Sequence, residues 1–370
     1  MTARLDRRQL LAAPLALAAL APGRALAGDF PTLAGLLSLP ASPALDPDLA
    51  LTRIGIGSCF NQNREGTLLD VAIKARPQLF LFMGDNVYGD SNSPDLDELI
   101  GAYAAALARP DYRRFREAVP IAAVWDDHDL GGNDAGAAYR YKDASRQLFF
   151  DFWDIAAEHP RRQTGGIHDS FITGPKCARV QVILLDTRSF RDNWRPTDRW
   201  GQPGRERYIP DPDPARTVLG PAQWQWLEAQ LRQPADVRII VTSYQLLADG
   251  HGWEGWALFP AERQRFHDLV ARTRANGVVL VSGDRHRAGI YRETRGTAYP
   301  MLELTSSAIN MGSRTHIEEA GPNRLGPSFS ANNVGMVTID WGKRMIGFEI
   351  HDAAGRTVLN HDFPIDSLRA

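Results

Sequence analysis

The sequence predicts an α/β fold organised around a buried sheet of mixed strand direction, and three observations carry that reading. Short apolar runs recur along the chain, each of strand length and each ending in a polar cluster. Stretches with helical spacing lie between them. Near the C-terminal end, two runs at 334–341 and 344–351 flank Gly342-Lys343. That is a hairpin signal, which adds antiparallel pairing to an alternating strand–helix pattern.

The apolar runs lie at 51–57, 78–83, 120–125, 180–185, 237–241, 278–281 and 301–304. They are rich in branched side chains and read as strands buried on both faces. Helical patterns cover 95–108 after Pro94, 144–153, 221–231 with Trp224, Leu227 and Leu231 at helical spacing, and 260–276 up to Gly277. Strands alternating with helices imply an α/β fold. Two long segments, 189–219 and 308–331, hold many Gly, Pro, Asn and Arg. Loops of that length usually serve a site or are mobile. In open α/β sheets ligands bind beyond the carboxyl ends of the strands. This sequence puts Cys59, Asp85, Asp127, His128, Tyr244, Gln245, Asp284 and His286 just after predicted strands, which points to one shared site.

Composition narrows the function classes. Of 370 residues 44% are hydrophobic and 23% charged, the composition of an ordinary globular chain. With 42 basic and 44 acidic residues the formal charge is −2, so no global cationic field favours nucleic acid or an anionic membrane. Residues 1–27 combine Arg4, Arg7 and Arg8, an apolar stretch at 10–21 and Ala25-Leu26-Ala27. This reads as a cleavable signal peptide, not a membrane span, and Asp6-Arg7-Arg8-Gln9-Leu10-Leu11 looks like a twin-arginine export signal. Export to the periplasm or medium by the twin-arginine machinery is therefore expected. Residues 28–50 read as a loose lead-in and 51–370 as a single catalytic domain. No internal repeat or further apolar span is evident, and the oligomeric state is not legible.

The strand-end clusters carry the chemistry. Asp85, in Gly84-Asp85-Asn86-Val87-Tyr88, offers two oxygens that can bridge two cations, and Gly84 permits close backbone approach. Tyr88 can return to the same side as a hard anionic ligand. Asp127 can hold a metal while His128 stabilises or protonates a leaving oxygen. Asp284 and His286, two apart in an extended segment, would share one face and serve different ions of a pair. Cys59 is either a thiolate ligand or half of a disulfide with Cys177, as two cysteines outside the cytoplasm first suggest. Arg188, Arg191 and Arg195 follow a strand end and can grip phosphate, or form a solvated basic loop. Trp253, Glu254 and Trp256 after His251 form either a site wall or core packing.

In order, GSC at Gly57–Cys59, GDNVYGD at Gly84–Asp90, WDDHD at Trp125–Asp129, LDTR at Leu185–Arg188 and SGDRH at Ser282–His286 resemble the PhoD-type alkaline phosphatases and phosphodiesterases of the calcineurin-like metallophosphoesterase superfamily. The resemblance covers about Ile54 to Ile309. It implies an α/β/β/α sandwich of mixed sheets flanked by helices, and a dinuclear centre of Fe3+ plus Ca2+, with Zn2+ or Mn2+ as alternatives for the second metal. It implies that Cys59, Asp85, Tyr88 and His286 ligate the ferric ion, that Asp85 bridges, and that Asp284 faces the second ion with either Asp127 or Asn133. It further implies in-line attack by metal-bound hydroxide on a small phosphoester, monoester or diester, with His128 catalytic and with Arg188 and Gln245 on the substrate. Tyr244 and Gln245 stand where many superfamily members have a metal-binding His, a departure that suits an oxygen-rich calcium site. The segment between Ala27 and Ile54 is too short for the N-terminal β-sandwich of longer relatives. The alternatives are a phospholipase-like diesterase and a catalytically silent binding protein on the same fold. A serine hydrolase is disfavoured because Ile56 and Phe60 flank Ser58 where a nucleophile elbow needs glycines.

Overall fold

The computed structural model describes residues 40–313 and 321–369. The expected signal peptide at 1–27 and the first part of the lead-in lie outside the described residues.

In chain order the strands are β1 (Arg53–Gly57), β2 (Leu79–Met83), β3 (Ile121–Val124), β4 (Asp169–Thr173), β5 (Val180–Leu184), β6 (Val237–Thr242), β7 (Val278–Ser282), β8 (Ala288–Glu293), β9 (Met301–Ser306), β10 (Val334–Asp340), β11 (Met345–His351) and β12 (Thr357–Pro364). The α-helices are α1 (Leu69–Lys74), α2 (Asp97–Ala108), α3 (Pro110–Ala118), α4 (Asp127–Leu130), α5 (Lys142–Phe152), α6 (Gly220–Leu231) and α7 (Pro260–Thr273).

The strands form two six-stranded mixed sheets, ordered β12-β11-β10-β1-β2-β3 and β4-β5-β6-β7-β9-β8. Within the first, β1, β2 and β3 run parallel and β10 to β12 form an antiparallel meander. Within the second, β5, β6, β7 and β9 run parallel, with β4 and β8 antiparallel at the edges. Every residue of β2, β5, β6, β7 and β9 is buried, which is why these segments read as mainly apolar runs, although Gln181, Arg238 and Glu303 are buried among them. The two sheets face each other, β2 against β6 and β10 against β9, and helices cover the outside. Phe80, Phe82, Tyr112 and Phe115 interlock β2 with α3, while Trp224, Trp256 and Phe266 do the same for α6 and α7.

This topology sets the site. Seven parallel strands bring seven carboxyl ends to the same rim of the sandwich, and Gly283 N–H donates to the Ser243 carbonyl at 2.8 Å to tie two of those ends together. The lead-in differs from expectation. Its described part docks on β4, with the carbonyls of Pro47 and Leu49 accepting from Gly174 N–H and the Thr173 hydroxyl at 2.8 and 3.1 Å. These bonds tie the segment to the C-terminal end of the edge strand β4.

Candidate metal centre

The candidate donors sit on unusual backbone. Cys59, Asp85, Asp284 and His286 all have positive φ, at 55°, 48°, 66° and 51°. The left-handed region is sparsely used by non-glycine residues, and its occupants gather at functional sites. The extended segment expected at 284–286 is therefore absent. A tight turn parts Asp284 from His286, so the two join different donor clusters. Gly84 has the close approach expected of it: a Cβ there would meet the Asp126 Cβ at 2.5 Å. The loop after β2 and the loop after β3 are further locked by Asp129, whose buried carboxylate accepts from Asn86 N–H at 3.0 Å and from Asp126 N–H at 2.9 Å.

Two donor clusters result. In the first, ligand atoms of Cys59, Asp85 and His286 lie within 4.8 Å of one another. Cys59 Sγ stands 3.4 Å from Asp85 Oδ2, and the Tyr88 hydroxyl donates to Asp85 Oδ2 at 2.9 Å and lies 3.1 Å from His286 Nε2. In the second, Asp126, Asp127 and Asp284 converge within the same limit, and Asp85 also reaches Asp127 and His128. Asp85 thus belongs to both neighbourhoods. A third group of close carboxylates comprises Asp127, Asp134 and Glu254.

The electrostatics show a negative site in want of cations. Burial, then Cys59 and Asp127, push the Asp85 carboxyl well above its usual range; burial, then Glu254 and Asp126, do the same to Asp284. Burial pushes the Cys59 thiol up to about 12 and raises the Tyr88 phenol well above its usual value. Burial, then Arg285 and His128, bring His286 down to about 4, which leaves its imidazole neutral and free to ligate. Burial works against charge on Asp127 as well, but Arg188 and His128 outweigh it and hold that carboxyl down at about 2. Asp85 Oδ1, Asp126 Oδ2 and Asp127 Oδ1 are buried without a hydrogen-bond partner. Unpaired buried carboxylate oxygens are costly, and a cation relieves the cost. The residues therefore fit a metal centre. The first cluster, with thiol, phenol, imidazole and carboxylate, suits a transition metal, and the all-carboxylate second cluster suits a hard cation.

His128 stands beside both clusters. Its Nδ1 lies 2.5 Å from Asp90 Oδ1, and its ring packs against Tyr88 at a centroid distance of 4.3 Å. Burial pulls its pKa down, but Asp85, the Asp90 hydrogen bond and Asp127 together carry it up to about 10. Asn133 is exposed, and its backbone N–H donates to Asp90 at 3.2 Å.

Arg188 departs from its expected role. It is wholly buried and makes a close ion pair with Asp126 through Nε. Nη1 and Nη2 fork onto Glu254 at 2.6 and 2.9 Å, and Nη2 lies 3.7 Å from Asp127. A guanidinium engaged on this many carboxylates has no free face for phosphate. Arg191 is likewise buried, stacked on Trp194 at 4.3 Å and donating to the Asp134 carbonyl at 2.7 Å, whereas Arg195 is exposed. Gln245 is also corrected. It is 1% exposed, its Nε2 donates to Thr305 Oγ1 at 2.9 Å, and its Oε1 has no hydrogen-bond partner, so it presents no open surface to a substrate. Cys59 and Cys177 are both free, one buried and one exposed, so the disulfide reading falls. Trp256 packs in the core and Glu254 is Arg188's partner.

Sequence reasoning missed Asp126, Asp134 and Ser307. Ser307 holds the site from beneath, 3.1 Å from Cys59 Sγ and accepting from His286 N–H at 2.8 Å. The doubled aspartate of WDDHD was a visible signal for Asp126, and Ser307 lies in the polar cluster that ends the 301–304 run; nothing local marks Asp134.

Two mixed sheets packed face to face between helices, with candidate donors at their common rim, form the metallophosphoesterase-like α/β/β/α sandwich. The family model of the PhoD-like phosphatases matches residues 55–339, most of the chain, and this chain belongs to that family. It is 25% identical to alkaline phosphatase D of Bacillus subtilis (strain 168) over 189 residues. That match covers 46% of this chain and 31% of the relative, so it spans about a third of that protein's length. A solved structure titled as that of PhoD superposes with a TM-score of 0.65 at 17% identity, covering 87% of this chain and 73% of that one. A second, titled as GAP50, the anchor in the inner membrane complex of Plasmodium, gives 0.52 at 15% identity over 85% and 88%. At these identities the two structures speak for the fold alone.

Proposed function

We propose that the chain is an exported, metal-dependent hydrolase of phosphoric esters, a phosphodiesterase, an alkaline phosphatase, or both. The observation that carries this is the convergence of Cys59, Asp85, Tyr88, His286, Asp127 and Asp284 around buried carboxylate oxygens that lack partners. Membership of a phosphatase family supports it. Export rests on the twin-arginine-like leader in the sequence. No helix among the described residues is long and apolar enough to cross a membrane.

In this reading Cys59, Asp85, Tyr88 and His286 would hold Fe3+, and Asp126, Asp127 and Asp284, with Asp85 beside both groups, would hold Ca2+. When bound, the cations supply Lewis-acid chemistry, lowering the pKa of a water and neutralising phosphoryl oxygens. The protein's own groups do the rest. Asp90 fixes the His128 ring through Nδ1, which leaves Nε2 to meet the ester. An N–H at that position would stabilise charge on the phosphoryl oxygens and could pass its proton to the departing oxygen. Ser307 and the left-handed turns fix donor positions before substrate arrives. Arg188 neutralises Asp126 and Glu254 behind the centre and keeps Asp127 ionised.

The test is hydrolysis of a chromogenic phosphodiester and its matching monoester, with and without chelator. Chelator-sensitive turnover supports the proposal, and the diester-to-monoester ratio names the subclass. No turnover of either by protein with confirmed metal content defeats it.

A further inference from the structure

Arg285 lies between the donors Asp284 and His286. Its guanidinium sits over Trp253 at 5.5 Å; on from there, Arg207 sits over Trp253 at 5.1 Å and over Trp200 at 5.7 Å. Arginine and tryptophan therefore alternate, Arg285–Trp253–Arg207–Trp200, from the donor turn to the surface. The outer end is open: Trp200 is 74% exposed, and only it and Ile172 are exposed large hydrophobics among the described residues. The stack is also built rigidly. Arg207 donates to Asp134 Oδ2 at 2.6 Å, and the N–H groups of Arg207 and Tyr208 both donate to the Gly252 carbonyl, at 3.0 and 2.8 Å. Gly252 is needed there, since a Cβ would meet Glu206 N at 2.5 Å. Asp134 N–H in turn donates to Asp127 at 2.6 Å, so the outer stack is registered to the donor cluster.

An isolated surface tryptophan needs no explanation. One held over an arginine at the end of a stack that starts between two candidate metal donors does. A cation behind an indole fixes the ring's orientation, and the outer face is suited to a planar π-system. We propose that this stack seats the organic substituent of the phosphoester and that it selects a planar aromatic group of nucleobase type, with Trp200 as the specificity-determining residue. The inference rests on the phosphoesterase reading above and refines its substrate class.

The test compares adenosine 5′-monophosphate with ribose 5-phosphate, which share phosphate and sugar and differ in the base. Both are used as competitors against chelator-sensitive hydrolysis of a chromogenic diester by the metal-loaded protein. The base is expected to tighten Ki in the parent. Trp200→Ala is expected to raise the Ki of the adenosine ester by roughly fivefold or more, as loss of one base-stacking contact implies, and to leave that of ribose 5-phosphate within about twofold. Trp200→Phe is expected to keep part of the preference. A base preference absent from the parent, or unchanged in Trp200→Ala, overturns the subsite. If the diester is not hydrolysed at all, the phosphoesterase reading fails instead, and the same ratio measured as calorimetric Kd values still decides the subsite.

Discussion

Replacing Arg188 by methionine separates two roles that the sequence alone left confused. The side chain is 0% exposed, and its partners Asp126 and Glu254 are 0% and 4% exposed, so solvent screens neither pair. Removing the guanidinium strands two carboxylates in a dry environment. Breaking a buried pair costs about 3–5 kcal/mol, mainly through the uncompensated charge left behind. At about 2 °C per kcal/mol for a chain of this size, the melting temperature of chelated protein should fall by roughly 6–10 °C. The loss depends on pH with a definite sign. Burial already pushes Glu254 up to about 7 even though Arg188 pulls it down. An acid whose folded pKa is raised takes up a proton on folding, so the destabilisation is smaller near pH 6 and grows as pH rises. Arg188→Met in a Glu254→Gln background should therefore cost less than in the parent, a coupling that a double-mutant cycle reads directly. Urea or thermal unfolding of the four proteins at matched pH is the assay. A melting temperature for Arg188→Met within about 1 °C of the parent, together with a raised KM, would refute this reasoning and restore Arg188 as a phosphate grip.

Three further outcomes follow from the site and its supports. Cys59→Ala should lose bound iron, measured by elemental analysis, while staying folded, whereas Cys177→Ser, at an exposed free thiol, should leave metal content and turnover within about twofold. Chelation should destabilise the protein more at alkaline than at acidic pH. Asp85 and Asp284 are raised acids whose cost, absent below their ordinary carboxyl range, appears as pH climbs and is lifted by cations, so the melting-temperature gap between loaded and chelated protein should widen from about pH 5 to pH 9. A constant gap would count against their being ligands. Far from the centre, Glu262 Oε2 accepts from Val218 N–H and the Trp224 indole, both at 2.8 Å, and from the Thr217 hydroxyl at 2.9 Å. Glu262→Ala should cost about 2–4 kcal/mol in denaturant unfolding without changing metal content, since two buried donors and the half-buried Thr217 hydroxyl lose their acceptor.

What was legible in the chain was whatever burial writes into local composition. The central strands could be read because both faces of each are covered. By contrast β4 (DSFIT), β8 (AGIYRE) and β12 (TVLNHDFP) mix polar and apolar residues, with Asn360, His361 and Asp362 of β12 exposed, so no apolar run marks them. The helix α3 carries no clear apolar pattern because PDYRRFREA buries only Tyr112, Phe115 and Arg116, one of the three being charged. The same logic divides the site. Donors that follow buried strands announce themselves by contrast with the runs before them. The charge balance behind them does not, because Arg188 meets Asp126 and Glu254 across 62 and 66 residues of sequence. Read locally, an arginine after a strand end is a phosphate ligand; read in the fold, it is a counter-charge. That difference decides what the centre can bind. With Arg188 committed behind Asp126 and Asp127, the proposed reading leaves neutralisation of an ester to cations in the donor clusters and to His128, so that metal content, more than Arg188, is the variable expected to govern turnover.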